Sequence, residues 1–239
     1  MRYIYLLIFI FLISSCEELE ETESYLDYKE YLTQGWSAFE AVNLDQFQDS
    51  TNAYYYQLAL EMFDVSAQAI DYAFSSIGPH YEPYNGTGWT QLYYANEFMD
   101  IDTQFIRDSL RQKAKLFFNK ALFNLDAHSL ESSISSQDRC NTYAGLSYTH
   151  YYSGLSTSIF DSSLTFSSML INECPDYSFE HDEFDFRSIH YLRGKIYLFQ
   201  NNYTEACIEI NSANGCDCDV DNIDIDALLD CFDQFSNGE

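Results

Sequence analysis

LRGKIYLFQNNYTEACIEINSA, Leu192 to Ala213, carries the pattern from which the architecture follows. Apolar residues recur at three- and four-residue spacing on both sides of a short polar joint, Gln200 to Tyr203. That spacing puts them on one face of each of two helices, and the joint is short enough to fold the pair into a hairpin. Gly194, Ala206 and Ala213 are small where neighbouring large residues, Tyr197 and Ile210, would fill the gaps. Small side chains let helix axes approach, and large ones pack the space on either side.

Three earlier stretches share the design. YLTQGWSAF around Gly35, PYNGTGWTQLYY around Gly88 and TYAGLSYTHYY around Ser147 each place a small residue early in a helical run. Each is followed by a second apolar run, AYYYQLALEMF, AKLFFNKALFNLD and SSLTFSSMLINECP. Both tryptophans of the chain, Trp36 and Trp89, directly follow the early glycine. In the second runs Tyr56 and Ala59, and then Ala114, Phe118 and Ala121, stand at the large and small positions. The only three prolines, Pro79, Pro83 and Pro175, fall at joints, and strictly alternating Val-Ile-Thr runs are absent. The chain therefore reads as all-α.

These units resemble tetratricopeptide repeats, most closely in the last copy. The resemblance implies stacked antiparallel helix hairpins, an α-solenoid of about four units over residues 25–75, 80–127, 138–175 and 185–213. The small-residue marks Gly35, Gly88, Ser147 and Gly194 lie 53, 59 and 47 residues apart. The family repeat is about 34 residues, so these units carry extra turns or loops, such as 43–51 and 96–107. A short amphipathic helix over about 223–235, with Ile225, Leu228, Leu229 and Phe232 on one face, is expected to cap the stack.

The N-terminus has its own signature. Arg2 precedes an apolar run, Tyr3 to Ile13, which is shorter than the about 20 residues a spanning helix needs but suits a signal-peptide core. Ile13-Ser14-Ser15-Cys16 resembles the lipobox of bacterial lipoproteins. It implies removal of residues 1–15, lipidation of Cys16, and attachment to a bacterial membrane through acyl chains. Ordinary cleavage leaving Cys16 as a free thiol is the other reading. Residues 16–24, rich in Glu, read as a hydrated tether to a domain at 25–239. Outer-membrane, periplasmic and surface placements all stay open.

Composition narrows the partners. With 38 acidic against 11 basic residues the net charge is −27, and no Lys or Arg lies between Lys29 and Arg107. Nucleic acid is thereby disfavoured, because it needs cations to replace its counterions. Six cysteines follow Cys16: Cys140, Cys174, Cys207, Cys216, Cys218 and Cys231. In an exported chain an even number fits disulfides, although six permit fifteen pairings. Free buried thiols and a metal site are the alternatives, and a staple from the C-terminal helix to the last hairpin is the expected arrangement.

Candidate sites follow from the resemblance. In tetratricopeptide proteins ligands commonly lie on the concave face built from each first helix. By position this implies Trp36, Glu40, Asn85, Trp89, Tyr93, Tyr148, Tyr152, Tyr191 and Lys195 as ligand-facing. An aromatic ladder of this kind suits peptide side chains or sugar rings; the same rings would equally serve as core. Asp217, Asp219 and Asp221 begin like a calcium loop, but Asn222 replaces its Gly and Leu228 its bidentate Glu. Glu180, His181, Asp182 and Glu183 put a His among carboxylates; the stretch reads as a solvated loop, with a metal site as the alternative. Gly145-Leu-Ser147-Tyr-Thr149 falls short of a nucleophile elbow and sits inside a helix. No cofactor motif and no catalytic set is expected. The reading is a lipid-anchored, non-catalytic envelope protein that binds or scaffolds a protein or peptide partner. A glycan- or peptide-capture lipoprotein is second, and a hydrolase whose site the sequence hides, testable at a polar residue such as Ser147 or His150, third.

Overall fold

The computed structural model describes residues 20–42, 50–74, 80–98, 101–127, 135–154, 156–182 and 184–238. The signal segment, Cys16 and the start of the tether lie outside the described residues. Among the described residues nine α-helices run in chain order: α1 Glu20–Glu40, α2 Ser50–Phe74, α3 Tyr81–Asn96, α4 Gln104–Ala127, α5 Ser136–Tyr152, α6 Thr157–Glu173, α7 Phe186–Phe199, α8 Tyr203–Ser212 and α9 Ile225–Gly238. Within the expected 96–107 loop, Ile101–Thr103 forms a 3-10 turn leading into α4. The fold is all-α. Four antiparallel hairpins, α1/α2, α3/α4, α5/α6 and α7/α8, stack in sequence, and α9 packs on the last. Each hairpin's first helix also meets the first helix of the next, as a solenoid-like stack requires. Among the described residues, no helix is long and apolar enough to cross a membrane.

Local chemistry sets the joints. Ser135 caps α5 in a reciprocal box with Asp138, and Asp185 caps α7 by accepting from the backbone N–H groups of Arg187 and Ser188. The polar joint after α7 turns because Asn201 takes a left-handed conformation, φ 56°, which asparagine tolerates better than most residues. Asn214 does the same after α8, at φ 57°.

The hairpins nest through glycine notches that receive aromatic rings. A Cβ on Gly35 would stand 2.6 Å from the Phe63 ring, and one on Gly88 2.7 Å from Phe118. The same two rings also fill notches on the following first helix, at Gly86 for Phe63 and Gly145 for Phe118. Each ring therefore sits between two successive first helices. Ala59, Ala114, Ala121, Ala206 and Ala213 are all fully buried. At the third hairpin, Ser147 and Ser163 replace the ring: each hydroxyl donates to the other's main-chain oxygen, at 3.1 and 2.8 Å. Gly194 departs from expectation. Its nearest neighbour is the Phe232 ring of α9, at 2.6 Å from a built Cβ, with the Glu209 Cβ of α8 further off at 3.4 Å. The notch admits the capping helix as much as its own hairpin partner.

All six cysteines after Cys16 pair: Cys140–Cys174, Cys207–Cys218 and Cys216–Cys231. The Cys-x-Cys stretch sends one sulfur to α8 and the other to α9, which staples the C-terminal helix to the last hairpin. The thiol and metal alternatives for these residues fall away.

Candidate functional site

The first helices α1, α3 and α5 share a face, and residues 174–185, between α6 and α7, lie across it. Cys174 fixes the start of this segment to α5 through its disulfide to Cys140. A one-bridge pairing of Ser178 with Asp185 folds the segment on itself, supported by Phe179 N–H donating to the Phe184 carbonyl at 2.8 Å. Three aromatic side chains, Tyr177, Phe179 and Phe184, are buried against the helices. Phe179 stacks on Trp89 at 4.6 Å and meets Trp36 edge-on at 5.9 Å. Phe184 packs edge-on against Tyr148 at 4.6 Å.

Polar contacts extend the same grip. His181 stacks on Trp36 at 3.8 Å, nearly parallel, and its Nδ1 lies 2.6 Å from a Glu40 carboxylate oxygen. Its Nε2 faces Glu180 at 3.2 Å. Tyr93 donates its hydroxyl to Asp182. Burial, and then the Asp182 charge, push the Tyr93 hydroxyl well above the usual phenol range, so it stays a donor. Tyr148 donates to the Ser188 carbonyl at 3.2 Å.

This corrects the expected open ladder. Trp89 is 1% exposed, and Trp36, Tyr93 and Tyr148 are covered by the crossing segment. The rings are there, on the expected face, but the chain's own aromatics already occupy them. Asn85 is also buried. Tyr152 remains partly exposed, with the Arg111 guanidinium 4.8 Å over its ring. Tyr191 and Lys195 belong elsewhere: Tyr191 stacks on Phe235 at 4.6 Å, and Lys195 sits over the Tyr191 ring. Of the stretch expected to be a solvated loop, Glu180 is exposed while His181 packs on this face; Glu183 lies outside the described residues. The available signal was a loop carrying Tyr177, Phe179 and Phe184 without helical spacing.

Two cavities flank the crossing segment, with His181 in the wall of both. One, of about 110 Å³, lies against Phe39, Tyr56 and Tyr93; the other, of about 190 Å³, lies against Trp36, Glu82 and Asn85. A wider outer hollow of about 410 Å³ lies between α2, α3 and α4, beside exposed Phe123 and the His80–Asp71 pair.

The remaining candidates resolve as structure. Ser147 is fully buried in its exchange with Ser163. His150 is 8% exposed and stacked near Phe166, and burial, helped by the Lys115 charge, lowers its pKa to about 4. Asp217, Asp219 and Asp221 are spread along an exposed turn in which Asp219 accepts from the Asp221 N–H. Asp224 caps α9 through Asp226 and Ala227. Among the described residues, no three His, Cys, Asp or Glu side chains come together closely enough to hold a metal ion.

No family model, curated protein or solved structure matches this chain.

Proposed function

We propose that this protein is a diverged tetratricopeptide-like array, exported and lipid-anchored through Cys16, that binds a protein or peptide partner without catalysis. One observation carries the binding part. The face formed by α1, α3 and α5 holds a folded-back, aromatic and acidic segment, Tyr177 to Asp182 with Phe184, by ring stacking and side-chain hydrogen bonds. A surface that grips an aromatic turn in cis has the chemistry to grip a like segment in trans, with stacked aromatics as anchors and polar groups around them. Three disulfides in a small helical domain agree with an oxidising compartment. The glycan reading loses support, because Trp89 offers no open ring face to a sugar.

Crosslinking on intact membranes followed by mass spectrometry tests the proposal. A defined protein partner is expected at residues of this face, and Cys16→Ser is expected to release the protein from membranes and abolish the crosslink. Recovery of no partner across crosslinkers of different chemistry rejects the binding role. Continued membrane retention of Cys16→Ser rejects the anchor.

A further inference from the structure

Three carboxylates and one histidine are the charge-bearing groups in the wall of the cavity of about 190 Å³ beside the crossing segment. Trp36 of α1, Glu82 and Asn85 of α3, Asp138 of α5, and Glu180 and His181 of the segment line it. Three of these six are carboxylates. His181 is engaged by Glu180 and Glu40, and the cation whose field reaches Glu82 is Lys29, an exposed side chain of α1. Burial, and next the charge of Asp138, raise the pKa of Glu82, as expected of an acid that lacks a close cation.

A second observation is independent of charge. Asn85 is only 5% exposed, and its side-chain Oδ1 has no hydrogen-bond partner. A buried acceptor left unmade costs roughly 1–3 kcal/mol. Here the acceptor belongs to a residue of a cavity wall that also carries the carboxylates of Glu82, Asp138 and Glu180. Such a site asks for a donor that carries positive charge. The carboxylates are too dispersed to converge on a metal ion, which needs oxygens within about 2.0–2.6 Å of one point. A guanidinium or an ammonium spreads several N–H donors over a wider span. The volume is below the roughly 300–1,000 Å³ of pockets for whole drug-sized ligands, and so suits one side-chain end.

We infer that this cavity is a cation subsite that receives a guanidinium or alkylammonium group, borne by a basic side chain of the partner peptide. The source of the cation rests on the peptide-binding proposal; the subsite itself does not. Glu82, Asp138 and Glu180 supply charge, and Asn85 Oδ1 accepts one N–H. Asp138 also accepts from Ser135 to cap α5, which makes it unsuitable for mutation.

Calorimetry and tryptophan emission on the intact, disulfide-bonded protein test this with butylguanidinium and butylammonium against neutral butylurea. Saturable binding of the two cations, with butylurea silent, is expected. Glu82→Gln and Asn85→Leu should each weaken it at least tenfold. Glu82→Gln should keep or raise the melting temperature, because it removes a charge whose burial is unfavourable. Asp161→Asn, an exposed carboxylate on α6, should leave binding unchanged. Equal responses to butylurea, undiminished binding in Glu82→Gln, or equal weakening by Asp161→Asn would each overturn the subsite, the last in favour of the diffuse field of the whole chain. A short peptide carrying one Arg should bind more tightly than butylguanidinium and lose the gain when citrulline replaces Arg. If small cations bind and the Arg peptide gains nothing, the subsite stands for free amines and the partner-borne source is overturned.

Discussion

At the scale of single residues, the stack depends on pairs of small positions two apart. Gly86 and Gly88 flank one helix, as do Gly145 and Ser147; residues i and i+2 face different neighbours on a helix. The earlier of each pair receives a ring or group from the preceding hairpin, the later from its own. Sequence periodicity exposed the later notch, because Gly35, Gly88, Ser147 and Gly194 recur within similar surroundings. Gly86 and Gly145 became visible as notches only when Phe63 and Phe118 were placed against them. Gly145→Ala puts a methyl group into the Phe118 ring, which is itself fully buried and has no room to retreat. A loss of about 1–3 kcal/mol is expected by chemical denaturation. Phe118→Leu should lessen the effect of the second mutation, so the double-mutant cycle should show coupling above about 0.5 kcal/mol. Simple additivity would show that the methyl group and ring do not meet.

At the scale of elements, a polar node joins the third hairpin to the fourth. Glu209 of α8 is 6% exposed and accepts from Arg193 Nε at 2.7 Å, while His190 Nδ1 lies 2.6 Å from its other oxygen. Arg193 reaches onward to Ser167 and Ser168 of α6. Glu209→Ala strands the Arg193 guanidinium among largely buried groups, a change expected to cost roughly 3–5 kcal/mol. Substituting both, as Glu209→Leu with Arg193→Met, should recover much of that loss. If thermal unfolding finds the single mutant within about 1 kcal/mol of the parent, Arg193 must have found water or another acceptor. The sequence marked α7 and α8 and their small residues plainly. It left this node unread, since an acidic chain with 38 carboxylates gives no reason to single out Glu209.

At the scale of the whole molecule, the segment 174–185 changes what a stack of hairpins would otherwise be. A simple solenoid couples each unit only to its neighbours, and its ends can open separately. Here Phe179 and Phe184 touch α1, α3 and α5 together, so three hairpins share one core cluster. Intact protein should therefore unfold in urea as one transition over residues 28–199. Phe179→Ala should broaden that transition, lower its denaturant slope and let amides of α1 and α2 exchange ahead of those of α5. Phe179→Leu, which keeps most of the apolar contact, should retain the single transition. A sharp single transition in Phe179→Ala would mean that neighbour contacts alone couple the hairpins.

The helices, their pairing and the small positions where they cross are legible along the chain, because they follow from local spacing of apolar residues and from backbone-sized side chains. The sequence also made an exported, disulfide-bearing chain the natural reading of its cysteines. Which cysteines join, which notch receives which ring, and whether the aromatic face lies open were decided only by tertiary structure. Those outcomes depend on contacts between residues as far apart as Glu40 and His181, and spacing along the chain carries no record of such meetings.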